Sequence, residues 1–232
     1  MKNFVLLLFS FISINAFAID DAKLLIRDLN KKFNQVEDYT ARVQMKFNIP
    51  GVRMNNMSGN VFFKRPDRFR IRTKGIFFLP KQNPMQNMSA MLLDTSSYTS
   101  IISGYELVNG RNCAIVNIIP LKSVNELILG KFWIDVKNPL VLKTQITTKN
   151  NGTIETENVY SATSQYTLPD KIIIKVETKK IKMSKMMSVD LNKKAQDKSK
   201  LNEVETGTIT LSFTDYKINT KFSDSELEKT GE

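Results

Sequence analysis

From Thr40 onward the chain alternates apolar and polar side chains, and this period of two restricts its fold more than any other feature. Ala41, Val43, Met45, Phe47 and Ile49 alternate with Arg42, Gln44, Lys46 and Asn48. Val61 and Phe63 follow, and then Phe69 and Ile71 stand between Arg68, Arg70 and Arg72. The rhythm returns at Phe132-Ile134-Val136, Leu140-Leu142-Thr144-Ile146, Ile172-Ile174-Val176 and Ile209-Leu211-Phe213. Successive side chains of a strand point to opposite faces, so each run predicts a strand with one apolar and one wet face. Turn signals separate the runs at Ile49-Pro50-Gly51, Arg65-Pro66-Asp67, Asn109-Gly110, Lys137-Asn138-Pro139, Asn150-Asn151-Gly152 and Leu168-Pro169-Asp170. Short links between many strands predict an antiparallel, mainly β fold: a large curved sheet closed by helix, not a parallel α/β fold.

One helix precedes the strands. Asp20 and Asp21 open it, and Leu25, Leu29 and Phe33 recur at i, i+4 and i+8, with Leu24 and Val36 widening the stripe. The acidic pair suits the positive end of the helix dipole, and Lys31 and Lys32 suit the negative end. The predicted architecture is therefore a curved sheet closed by an N-terminal helix.

The first eighteen residues have the form of a secretory signal. Lys2 gives a short positive region, Phe4 to Ile14 is almost wholly apolar, and Ala16-Phe17-Ala18 ends in the small-x-small pattern of a cleavage site. The apolar run is too short to span a bilayer. Residue 19 is Ile rather than Cys, so no lipid attachment is expected there. The expected organisation is a signal at 1–18 and one domain over 19–232, exported and soluble.

Composition removes whole classes of chemistry. The chain has no histidine, which excludes Ser-His-Asp and Cys-His catalysis and imidazole-based zinc sites. Its one cysteine, Cys113, cannot form an internal disulfide. Its neighbours Ala114, Val116 and Ile118 place it in a strand, as a buried thiol or as the source of an intermolecular disulfide. No phosphate loop, nucleophile elbow or dinucleotide fingerprint is present. The carboxylates Asp94, Asp135, Glu155 and Glu157 are scattered, and only folding would assemble them. No enzyme, metal or cofactor is expected. The formal charge of +11 falls to +10 once Lys2 leaves with the signal, and it suits an anionic membrane surface or an acidic partner. Export argues against nucleic acid.

Two segments stand outside the meander, and each admits two readings. Residues 75–93 are apolar and rich in methionine, with Phe77, Phe78, Met85, Met88, Met91 and Leu92. Pro80 and Pro84 bar one continuous helix. The segment is a lid over an apolar cavity, with methionines that mould to variable partners, or it is a plug packed in the core. Residues 179–206 form a lysine-rich insertion, with eight lysines between Lys179 and Lys200 against Asp190 and Asp197. That insertion docks an anionic membrane or acidic partner, or it is a solvated, flexible extension.

The most informative stretch is Gly59-Asn-Val-Phe-Phe-Lys-Arg65-Pro66-Asp67-Arg68-Phe69-Arg70-Ile71. It resembles the G-x-(apolar)₃-K-R-P-x-x-F-R signature of the LolA/LolB-like lipoprotein-carrier family. Val36-Glu-Asp-Tyr39-Thr-Ala-Arg-Val43 is similar to that family's helix-to-strand junction. Phe132-Trp-Ile-Asp135-Val-Lys-Asn138-Pro139-Leu140 resembles the paired strands of lipoprotein-sorting proteins, and Asn151-Gly152-Thr153 and Asn158 to Ser161 continue the likeness.

The resemblance implies an incomplete antiparallel barrel with a lid over a cavity for acyl chains. It implies that Arg65 latches the lid by hydrogen bonding and that Phe69 stands at the cavity rim in cargo transfer. The ordinary alternatives are a water-facing turn residue and a core aromatic. Val43, Met45, Phe47, Val61, Phe63, Ile71 and Ile134 are the expected cavity-lining positions. The implied function is a periplasmic carrier shuttling lipoproteins or lipids from inner to outer membrane. Its implied partners are acylated lipoproteins or lipids, an inner-membrane release complex and an outer-membrane acceptor, with transient membrane contact and a monomeric state. A sensor of lipid or mislocalised lipoprotein with the same fold is the alternative, and a carboxylate hydrolase is a weaker third.

Overall fold

The structure, a computed structural model, describes residues 18–50, 54–66, 68–73, 92–121, 127–149, 152–161, 164–177 and 206–228. Helix α1 (Ala18–Phe33) is followed by β1 (Asp38–Asn48), β2 (Met57–Lys64), β3 (Arg68–Thr73), β4 (Tyr98–Val108) and β5 (Arg111–Pro120). Then come β6 (Leu127–Asp135), β7 (Val141–Thr148), β8 (Gly152–Val159), a 3-10 turn at Ser164–Tyr166, β9 (Lys171–Glu177), β10 (Thr206–Ile218) and a last short helix, α2 (Ser225–Glu228). The strands form one sheet in the order β3-β2-β1-β10-β9-β8-β7-β6-β5-β4, antiparallel at every pairing. The sheet is curved but does not close, since β3 and β4 are its two edges.

Sequence-adjacent strands are neighbours along the sheet except β3 and β4, which stand at its opposite edges, while β10 returns beside β1. Hairpin chemistry explains the tight links. Val108 pairs with Arg111, leaving Asn109 and Gly110 as a two-residue loop with φ of 50° and 75°. Positive φ at both positions is the type I′ geometry whose twist matches that of the flanking strands, and Asn-Gly accepts it readily.

Register fixes which side chains share a face. Phe47, Ile209, Ile174, Thr156, Thr144, Phe132, Val116 and Ile102 stand directly opposite one another, strand to strand, from β1 across to β4. They define an inner face, and α1 packs against part of it. Ala22, Ile26 and Leu29 of α1 join Tyr98, Ala114, Val116, Ile118, Phe132, Ile134 and Val141 in one buried cluster. A second cluster spans β1, β2, β9 and β10, with Ala41, Val43, Met45, Val61, Ile172, Ile174, Leu211 and Phe213 at its centre. Between the two, the buried Thr144 and Thr156 hydroxyls hydrogen-bond each other at 2.6 Å. Asn158 Nδ2 donates to the Val141 carbonyl at 2.8 Å. The polar strip is thus internally satisfied, as a buried polar group must be.

Two expectations are corrected. The buried stripe of α1 is centred on Ala22, Ile26 and Leu29, while Leu24 is 46% exposed. Leu25 and Phe33 pack against the same cluster as Leu29 but are only partly buried, so the expected stripe holds with its centre moved toward Ala22 and Ile26 and without Leu24. In β7, Leu140-Leu142-Thr144-Ile146 do not share a face. A register shift opposite Trp133 and Ile134 turns Leu140 and Leu142 outward to pack with Cys113 and Trp133. Bulges reverse the face of the residues that follow them, and alternation alone does not reveal them.

Candidate functional site

The two halves of the inner face differ in how completely they are covered. Under α1, the side chains of Phe132, Ile134, Val116 and Ile118 are fully excluded from water. On the β1–β3 side, Phe47, Met57, Phe63, Phe69, Ile71 and Ile209 are only half-buried, packed around the buried Val43, Met45, Val61 and Leu211. Partly buried apolar side chains in a contiguous group leave apolar area that a ligand can cover.

Strand alternation puts them together. Tyr39, Ala41, Val43 and Met45 face Phe63, Val61, Gly59 and Met57 of β2, and Val61 and Phe63 face Ile71 and Phe69 of β3. At the end of this patch nearest the β2–β3 turn, Tyr39 and Phe63 stack with ring centroids 5.2 Å apart, and Tyr216 tilts against Tyr39 at 5.7 Å. Tyr216 donates to the Pro169 carbonyl at 2.8 Å. Burial raises the Tyr39 and Tyr216 hydroxyls above their ordinary range, so both stay neutral donors.

Arg65 closes the same end. Its Nε donates to the Val36 carbonyl at 2.7 Å, its Nη2 donates to the Phe33 carbonyl, and its backbone N–H donates to the Glu37 carbonyl at 2.9 Å. Phe33 ends α1, whose last carbonyls have no partner within the helix. The guanidinium fork supplies those donors and ties the rim of the patch to the helix end.

Of the expected cavity residues, Val43, Met45, Phe47, Val61, Phe63 and Ile71 lie in this patch, with Phe69 beside them on β3. Ile134 stands apart, in the cluster beneath α1. Phe77, Phe78, Met85, Met88 and Met91 lie outside the described residues, as does the insertion before Thr206. Leu92 is described, and it is fully buried with the α1 cluster. Its carbonyl accepts from Asn30 Nδ2 at 2.9 Å and from the Tyr98 hydroxyl at 3.0 Å.

Reasoning from the sequence missed Met57 and Tyr216 as members of the patch. Met57 is separated from Val61 by Gly59 on the same face, and the glycine interrupts the apolar alternation. The alternation through Ile209, Leu211 and Phe213 shifts before Tyr216, because β10 bulges against β1 between Thr40 and Arg42.

The scattered carboxylates are engaged elsewhere. Asp94 accepts from Ser96 at 2.7 Å, and Asp135 accepts from the backbone of Lys137 and Asn138 and faces Arg111 at 3.4 Å. Glu155 and Glu157 share Lys175, each at 2.7 Å on the outer face. Cys113 is buried, and burial pushes its thiol up to about 11, which leaves it a poor nucleophile. Among the described residues, no helix is long and apolar enough to cross a membrane.

No protein-family model matches the chain, and no curated protein matches it in sequence. Solved structures do match in fold. A LolA superfamily protein from Nitrosomonas europaea superposes with a TM-score of 0.56 at 10% identity, over 90% of this chain and 97% of that one. The chain has the LolA-like fold. A DUF1329 family protein from Desulfovibrio piger (TM-score 0.52, 12% identity) covers 89% of this chain and 97% of its own length. An outer membrane lipoprotein-sorting protein domain from Vibrio parahaemolyticus gives 0.53 at 10% identity over the same shares. At these identities the likeness is one of fold. In this chain the N-terminal helix packs against one half of the inner face.

Proposed function

We propose that this chain is a periplasmic carrier that binds the acyl chains of lipoproteins, or of lipids, on the half-buried apolar patch of β1–β3 and β10, and shuttles them from inner to outer membrane. The observation that carries this reading is the contrast between a completed core under α1 and only partly buried Phe47, Met57, Phe63, Phe69 and Ile71 on the same face. The LolA-like fold and the signal-type N-terminus support it.

Transferring a methylene from water contributes about 0.8 kcal/mol, so a dozen covered methylenes contribute about 10 kcal/mol. Partial cover therefore suffices for binding, and release is the harder step. Arg65 ties the rim of the patch to the end of α1, so breaking its hydrogen bonds loosens the helix from the patch at the moment of hand-over. Phe69, on the edge strand, meets the cargo at that rim. No covalent step is involved.

The test is purification from a diderm host followed by native mass spectrometry, and then incubation with inner-membrane spheroplasts. Bound acylated species and lipoprotein release into solution are the expected results. A chain that never carries acyl species overturns the binding reading, and one that binds but releases nothing overturns the shuttle. Arg65→Leu should change retention or hand-over, and unchanged transfer kinetics would return Arg65 to a purely structural role.

A further inference from the structure

The outer face of the β2–β3 edge has a use that the apolar patch behind it leaves unexplained. Alternation sends Arg68, Arg70 and Arg72 outward together, opposite Lys64, Phe62 and Asn60 of β2. Four cations on so small a surface repel one another unless anions lie between them. The chain supplies these itself.

After β10, Asn219 and Lys221 adopt φ of 56° and 54°, turning the backbone sharply. The turn is held from both sides. Asn219 accepts from Glu37 N at 2.8 Å and donates to the Gln35 carbonyl at 2.8 Å. The buried Asp38 carboxylate accepts from Thr220 N and Lys221 N, each at 3.0 Å. So directed, the C-terminal segment crosses the cationic face. Phe222 meets Phe62 edge-on at 5.8 Å, and Arg72 covers the other side of Phe62 at 4.1 Å. Asp224 pairs with Lys64 and with Arg68 (2.9 Å), while Glu226 pairs with Arg72. Arg70 donates to the Leu227 carbonyl at 2.5 Å.

This arrangement reads an aromatic residue followed two positions later by one carboxylate and four later by another, the fork-to-carboxylate recognition in which arginine clusters excel. The segment's hold is also incomplete. Asp224 and Arg68 are about half-exposed, and α2 is a single turn with no buried residue. Arg72 Nε is buried without a hydrogen-bond partner among the described residues.

We infer that the outer face of β2–β3 is a docking site for an acidic, aromatic-bearing peptide segment of a partner protein, and that the chain's own residues 222–228 occupy it as an internal competitor. The partner's affinity is then reduced by the fraction of molecules in which the segment is docked. The site lies on the face opposite the apolar patch, so it stands or falls apart from acyl-chain binding.

The experiment uses a labelled synthetic peptide, Phe-Ser-Asp-Ser-Glu-Leu-Glu, titrated onto the full chain and followed by fluorescence anisotropy. The double variant Asp224→Asn, Glu226→Gln should bind it about tenfold more tightly than the native chain. Phe222→Ala, which leaves the charge unchanged, should show a smaller gain, and it serves if the double variant fails to fold. Adding Arg68→Gln and Arg72→Gln should abolish binding, and salt at about 0.5 M should weaken it. Equal affinity for native and tail variants, or binding that survives loss of the arginines, overturns the inference. Binding to phosphatidylglycerol vesicles without binding to the peptide also overturns it, by giving the face to a membrane instead.

Discussion

The two halves of the inner face are built from the same kinds of residues on one continuous sheet, yet one is finished and the other is not. Beneath α1, the Phe132 ring is completely enclosed by helix and sheet. Across the Thr144–Thr156 strip, Phe63 and Phe69 on β2 and β3 keep part of their surface open. The same aromatic side chain therefore serves two ends. Where a helix completes its surroundings it contributes to stability, and where cover is partial it leaves apolar area for something else to bury.

The sharpest way to break this contrast is a matched pair of truncations. Phe132→Ala should cost about 3–5 kcal/mol of folding stability, read from denaturant unfolding, since it leaves a cavity in close-packed core. Phe69→Ala should cost roughly half as much or less while reducing acyl-chain uptake. Equal stability losses would mean that the two halves are alike. Arg65→Leu comes next, with about 1–3 kcal/mol expected because the Val36 carbonyl loses its guanidinium donor and the Phe33 carbonyl keeps only the long bond from Val36 N. Its loss should also raise hydrogen exchange at the end of α1 more than under its middle.

Smaller effects sharpen the picture of the rest of the molecule. Cys113 should resist thiol reagents at neutral pH until the chain unfolds, since burial raises its thiol to about 11. Labelling of the native protein at the rate of a free thiol would contradict its packing with Trp133 and Leu142. Hydrogen bonding and charge from Lys64 and Arg68 hold the Asp224 carboxyl below its ordinary 3.8. A depressed carboxyl contributes fully above its unfolded value, and that contribution fades as pH falls through the lower folded value. Acid below about pH 4 should thus release residues 222–228 before the sheet unfolds, read as early proteolysis at the C-terminus.

Much of the sheet was legible because each strand carries its own period. Ala41 to Phe47 alternate cleanly, and β1 is buried on the side that its apolar residues predict. Strand β4 was not legible. Ile101 and Ile102 are adjacent, and the register shift at Gly104 breaks the alternation before it can repeat. Within the patch, Val43, Met45, Val61 and Phe63 could be grouped from neighbouring strands joined by a short link. Ile134 could not be separated from them, since its strand looks the same and only the position of α1 sets it apart.

By itself the sequence determined most of the strands, their wet and dry faces where no bulge intervenes, the helix ahead of them and the Asn109-Gly110 turn, because all of these are set by neighbours a few residues apart. Only the tertiary structure decided which half of the inner face α1 would complete. It also decided that Arg65 would cap that helix and that Asp224 would reach Lys64 across 160 positions of chain. Those outcomes depend on the curvature of ten strands and on where β10 returns beside β1, and no local pattern carries either.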